Sequence, residues 1–274
     1  FEKKANLRYF DRFVQKVADE YAGDITYILT LNEPNVYVGQ SYAMALWPPQ
    51  QKNYFLCAKV YRNLMHVHRR SYKILKAKNP RLQIGIAAQL ENAVAKRPYN
   101  LLDTLVVKMS TYVWKWWFLN RIKRYQDFTG LNYYFTTYYQ SFLQKRNPAW
   151  PENNLGWYMQ PEGIYPLLTE LNRRYKKPII ITENGLADEN DVYRKWWLEQ
   201  TVVVMRRALS EGVPLRGYLH WSLLDNFEWA DGWWPKFGLV AVDRTNGMKR
   251  TIRPSAKWFA AYIIRLKQGR ETDV

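Results

Sequence analysis

The chain has 274 residues, 47% hydrophobic and 16% aromatic with 13 Trp and 21 Tyr, which is ample for a packed core and excludes a disordered protein. Forty-one Lys and Arg against 24 Asp and Glu give a formal charge of +17, a field that attracts anions. The basic residues recur in small groups (Arg62, Arg69, Arg70 and Lys73; Lys115 to Arg124; Arg173 to Lys177) rather than in one block, so they read as solvated helix faces and not as a nucleic-acid footprint.

The single cysteine, Cys57, excludes an internal disulfide, and its apolar surroundings predict a buried structural thiol. No signal-type segment opens the chain, and no run approaches about 18 uncharged apolar residues. A cytoplasmic protein with neither a membrane nor a nucleic-acid partner is the expectation.

From residue 4 to 21, Leu7, Phe10, Phe13, Val14, Val17 and Tyr21 recur near helical spacing with charges between them, which predicts an amphipathic helix. Ile25 to Leu31 is a β-branched and aromatic run stopped by Asn32, Glu33 and Pro34; proline does not continue a central strand, so these residues sit at a strand's C-terminal end. A helix over about 52–77 breaks at Asn79 and Pro80, and Leu82 to Ala88 predicts the next strand. A helix over about 101–124 and a strand over Phe128 to Phe135 follow.

Segment 142–160, with Pro148, Pro151 and Gly156, reads as a long functional loop. A helix over about 161–175 leads to Pro178–Thr182, an apolar run of the kind covered on both faces, ended by Glu183, Asn184 and Gly185. A helix over about 190–211, a strand from Leu215 to Trp221, an aromatic loop and a helix from Pro254 to about Leu266 complete the chain.

Five strands alternating with helices predict a parallel sheet of βαβ units. An open doubly wound sheet is an alternative arrangement, although no Gly-rich phosphate loop opens any of the helices. Charged or amide residues instead follow strand after strand, at the face where barrel enzymes hold their chemistry.

Glu33 and Glu183 occupy equivalent places after two different strands. Paired carboxyls flanking a glycosidic bond divide the work, one protonating the leaving oxygen while the other attacks the anomeric carbon, at a separation of about 5–5.5 Å in retaining enzymes. The surrounding segments, TLNEPN and ITENG, resemble the paired signatures of glycoside hydrolase family 1, the β-glucosidase and β-galactosidase family. Asp127–Tyr134 (DFTGLNYY), Gly156–Tyr165 and Gly217–Val242 resemble further segments of that family in the same order, so the resemblance spans nearly the whole chain.

The resemblance implies an α/β fold of the TIM (β/α)8-barrel type, present here only from about the third helix onward. Five of eight strands, the family's fourth to eighth, would form a single domain over residues 1–274. It makes Glu33 the acid/base and Glu183 the nucleophile, with Asn32 holding the sugar 2-hydroxyl, Tyr134 bonding the nucleophile and Asn132 supporting that wall. In WSLLDNFEWADGWWPKFGL, Trp221 becomes the platform under the glycone ring, Glu228 the acceptor of two sugar hydroxyls, Trp229 a further contact and Phe237 the closing wall. The reaction implied is retaining hydrolysis of a β-glucoside or oligosaccharide. Glu228 argues against a phosphorylated sugar, with Lys236 the one nearby residue that could favour it.

Trp47, Trp157, Trp233 and Trp234 are expected either along the aglycone side or as packed loop anchors. His66 and His68, two apart on a helix, lack the i, i+4 zinc spacing, and no metal or other cofactor is expected. Family members supply a Gln, an Arg and a His ahead of TLNEPN. A partner chain or a longer gene product supplying the first barrel half is therefore expected; otherwise the chain is a catalytically impaired sugar-binding relative.

Overall fold

Residues 1–141, 143–144 and 150–269 are described by a computed structural model. Helix α1 (Leu7–Tyr21) buries Leu7, Val14 and Ala18 and leads to strand β1 (Tyr27–Asn32), the short helix α2 (Pro34–Val38) and a π-helical turn at Gly39–Ala43. Helix α3 (Tyr54–Lys78) begins where the Asn53 side chain accepts the Leu56 N–H at 3.0 Å, and it carries Lys76 and Lys78 in its last turn, where cations complement the helix dipole. Strands β2 (Gln83–Gln89) and β3 (Asn92–Ala95) follow, then helix α4 (Leu101–Thr111), a π-helical turn (Tyr112–Trp116) and helix α5 (Trp117–Ile122).

Strands β4 (Thr129–Tyr133), β5 (Thr136–Gln140) and β6 (Leu143–Gln144) precede helix α6 (Ile164–Tyr175), strand β7 (Ile179–Asn184), helix α7 (Arg194–Ser210) and strand β8 (Leu215–His220). Strands β9 (Val240–Asp243) and β10 (Lys249–Ile252) form an antiparallel hairpin before helix α8 (Pro254–Lys267).

The main sheet has five strands in the order β1-β2-β4-β7-β8. Parallel pairing sets Tyr27 opposite Gln83 and Gln89 opposite Asn132. The five strands expected from the sequence are thus present, with their helices between them.

Four expectations change. The helix expected over 101–124 is interrupted by the π-helical turn, which inserts a residue while the apolar periodicity continues. Glu183 lies inside β7 rather than after it, because the strand runs on to Asn184. Cys57, expected buried, is half-buried, with its thiol 3.6 Å from the Val38 carbonyl. The loop expected over 142–160 contributes β6 and an isolated bridge between Glu152 and Tyr158, while Pro148 lies outside the described residues.

The chain divides into two compact units: Phe1–Leu90, Leu105–Asn132 and Leu171–Ile180 form one, and Glu91–Thr104, Tyr133–Glu170 and Ile181–Val274 form the other. In the first, Val14, Ala18 and Ala22 pack with Leu75, Leu82 and Ile84, so α1 and α3 sit over β2. In the second, Trp197 of α7 is fully buried and stacks on Tyr133, with ring centroids 6.4 Å apart. There the fully buried Arg194 donates to the carbonyls of Asp188 and, at 2.9 Å, Lys236, pinning the loop after β7 to the segment ahead of Phe237.

Candidate active site

In the first unit the register of β1 against β2 shifts between Leu29 and Asn32, as at a β-bulge, which re-aims the strand end. Glu33 then takes a left-handed conformation (φ 45°, ψ 56°), which costs a non-glycine residue about 1–3 kcal/mol. Its N–H donates to the Ala87 carbonyl at 2.8 Å, and Pro34, preset for a first helical turn, starts α2. The chain therefore reverses sharply at the glutamate.

Asn132, fully buried at the end of β4, donates from one amide to Asn32 Oδ1 (3.2 Å) and Glu33 Oε1 (2.9 Å). Asn32, Glu33 and Asn132 are thus one hydrogen-bonded cluster, with Asn32 exposed and Glu33 half-buried. Beside it, Asn35 donates to the Gln89 carbonyl at 2.7 Å and the Trp114 indole to Gln89 Oε1 at 2.9 Å. Gln89 and Trp114 went unnoticed in the sequence; the usable signal was an amide at the end of another predicted strand.

His68 supports the same strand from below. Its Nε2 lies 2.7 Å from the Tyr125 carbonyl, which can only accept, so Nε2 carries the proton and Nδ1 accepts from the Thr30 hydroxyl at 2.6 Å. Burial pushes its pKa down to about 4, so the ring is neutral at pH 7.

In the second unit the Tyr134 hydroxyl donates to Glu183 Oε2 at 2.7 Å. Tyr134 packs edge-on against Trp157 and Phe237, in a buried cluster that also takes in Ala187, Leu155 and Trp221. Trp157 is half-buried there.

The residue after Glu183 carries a larger network. Buried Asn184 donates to the Tyr133 carbonyl (2.7 Å), and its Oδ1 accepts from the Trp197 indole (2.9 Å) and the Tyr218 hydroxyl (3.1 Å). Tyr218 also meets His220 Nδ1 at 2.9 Å, and burial drives His220 down to about 3. Trp197 and Tyr218 were not singled out from the sequence, although Tyr218 and His220, two apart in a strand, necessarily share a face.

Trp221 N–H donates to the Asn184 carbonyl at 2.9 Å, and the Trp221–Ser222 peptide is cis. A Cβ on Gly185 would lie 1.8 Å from the Trp221 carbonyl oxygen, so this approach requires glycine.

Glu228 is half-buried, and burial raises its carboxyl above the usual range against hydrogen bonds from Asn226 (3.1 Å) and Trp221. Trp229, next to it, has φ 47° and is 61% exposed. Lys236 Nζ is tied to the Trp233 carbonyl at 2.8 Å rather than standing free. Trp233 and Trp234 are exposed, and Arg244 stacks 3.6 Å from the Trp233 ring centroid. Trp47 and His66 are half-buried in the first unit. No group of three His, Cys, Asp or Glu among the described residues could hold a metal ion.

A profile described as Glycosyl hydrolase family 1 matches residues 1–124 and 117–268. The chain is 32% identical over 286 residues to a protein named beta-glucosidase-like SFR2, chloroplastic, of Oryza sativa subsp. japonica, covering 99% of this chain and 44% of that protein. It is 31% identical to a beta-galactosidase of Saccharolobus solfataricus, over 90% of this chain and 57% of that enzyme. The solved beta-glycosidase from Pyrococcus horikoshii superposes with a TM-score of 0.89 at 29% identity, covering 100% of this chain and 68% of that one.

With its strand order, its two carboxylate-bearing strand ends and these matches, the chain belongs to glycosyl hydrolase family 1. It spans about half the length of the curated relatives it matches.

Proposed function

We propose that the chain carries the catalytic carboxyls of a retaining β-glycosidase acting on terminal β-linked glucose or a related sugar. The observation that carries the reading is the 2.7 Å hydrogen bond from Tyr134 to Glu183 Oε2. It steadies the carboxylate that in this reading attacks the anomeric carbon.

In this reading Glu183 displaces the leaving group to form a covalent glycosyl-enzyme, and Glu33 first protonates the leaving oxygen and then deprotonates the water that releases the sugar. Asn132 holds Glu33 and Asn32 together, and Asn32 meets the sugar 2-hydroxyl. Trp221 stacks on the C–H face of the pyranose, Glu228 accepts its hydroxyl hydrogens, and Trp229 and Phe237 bound the pocket.

The same reading makes the two units one catalytic domain of a (β/α)8 barrel, with the remaining strands supplied from outside these 274 residues. A cytoplasmic setting belongs to the reading as well.

The test is Glu183→Gly assayed on an aryl β-glucoside, with the chain alone and with a polypeptide supplying the upstream strands. Turnover should vanish and return with azide, giving the inverted glycosyl azide. Undiminished turnover in the variant removes Glu183 from the mechanism. Cellobiose binding without glucose release in both preparations favours a sugar-binding protein.

A further inference from the structure

A long apolar strip faces outward along α4 and the π-helical turn after it. Leu101, Leu105, Met109 and Val113 recur every fourth residue and are 87%, 53%, 60% and 60% exposed, and Leu102 and Tyr112, at 43% and 45%, widen the strip. Side chains four apart share one helix face, and an amphipathic helix normally turns such a face inward. At the turn, the half-buried Trp114 ring lies against Gly39, where a Cβ would sit 3.0 Å from the ring and 3.8 Å from the end of Met44, itself 49% exposed. Contiguous apolar surface of this kind marks an interaction site.

The crossover holding the strip joins β2 and β4, which stand between β1 and β7 in the sheet order. It is therefore not at a terminal strand, where further strands of a sheet would add.

The surrounding charge selects the partner. Residues 99–126 contain one acid, Asp103, against five bases, Lys108, Lys115, Arg121, Lys123 and Arg124. The Asp103 carboxylate is buried and held by the Arg97 guanidinium at 2.8 and 2.9 Å, so it does not offset the bases at the surface. Lys108, Arg121, Lys123 and Arg124 are exposed. A second copy would bring the same bases and another +17 to the contact, whereas an anionic surface would be attracted to it.

We propose that this strip docks on an anionic lipid surface, with the leucines, Met109 and Val113 entering the headgroup boundary and the flanking bases pairing with lipid phosphates. An interfacial helix joins an apolar face to basic flanks in this way, lying on a bilayer rather than crossing it. No described helix is long and apolar enough to cross one. The expectation of no membrane partner rested on the lack of a spanning segment, and this surface needs none.

The test is co-sedimentation of the full chain with vesicles of phosphatidylcholine alone and of phosphatidylcholine mixed with phosphatidylglycerol, at low and high salt. Pelleting is expected with the mixed vesicles only, and weaker at high salt. Leu105→Glu combined with Met109→Glu should weaken it by at least about tenfold, since two apolar side chains no longer enter the bilayer. Lys108→Glu should weaken it less, and Leu209→Glu, a change of an exposed leucine on α7, should leave it unchanged. Circular dichroism and thermal melting of each variant separate lost binding from lost folding.

Absence of pelleting with the mixed vesicles overturns the proposal, as does pelleting that the double variant retains. Concentration-dependent dimerisation that the double variant abolishes would assign the strip to self-association instead. Salt-sensitive retention on duplex DNA without vesicle binding would assign the charge to nucleic acid.

Discussion

Replacing Asn184 with alanine removes the hub behind Glu183 while leaving the carboxylate itself in place. The side chain donates to the Tyr133 carbonyl and accepts from Trp197 and Tyr218, and Asn184 and Trp197 are fully buried. Truncation strands the carbonyl and the indole N–H. Tyr218 keeps His220 as a partner.

Two buried polar groups left unsatisfied at about 1–3 kcal/mol each, with a small cavity added, predict a loss of about 3–5 kcal/mol. That is a large share of a domain stability of about 5–15 kcal/mol. Urea unfolding followed by far-UV circular dichroism measures it. Thr201→Val is the companion variant, because that hydroxyl reaches the same oxygen at 3.4 Å and should cost no more than about 1 kcal/mol. A loss below about 1 kcal/mol for Asn184→Ala would refute the claim that this network holds the strand end.

The remaining predictions are also readable from single positions. His68 titrates in the unfolded chain near 6.5 but only at about 4 when folded, so the unfolded state binds the extra proton in that window and stability is lost as pH falls through it. Its share is about 3 kcal/mol, seen as a steeper fall in urea midpoint between those pH values for the parent than for His68→Gln. Gly185→Ala should destabilise by about 3 kcal/mol or more, because the new methyl meets the Trp221 carbonyl and the backbone must move; an unchanged melting temperature would show that the approach is not tight.

The parallel sheet was legible because each of its strands is a short apolar run ended by a polar or proline-bearing turn, and the helices between keep one apolar face. The π-helical turn at Tyr112–Trp116 was not, because its aromatic and β-branched residues preserve an apolar pattern through the inserted residue. The small sheet of β3, β5 and β6 was hidden for another reason: Asn92 to Ala95 pair with Thr136 to Tyr139 across more than one intervening helix, which no local pattern reports.

Among the site residues, the strand-end motifs marked Asn32, Glu33 and Glu183, and the structure joins Asn132 to the first two and Tyr134 to the third. The Asn184 network and the Arg253–Asp225 pair at 2.9 Å bring together side chains distant in sequence. Hydrogen-bond partners of that kind become visible only once the chain is folded.

The central claim is that Glu33 and Glu183 serve one anomeric carbon. A crystal structure of the chain together with its upstream strands, soaked with a 2-fluoro glycoside, tests it most directly. The account predicts a covalent sugar on Glu183 and a separation of about 5–5.5 Å between the two carboxyl groups. An unmodified Glu183, or carboxyls about 6.5–9.5 Å apart as in inverting enzymes, would contradict it.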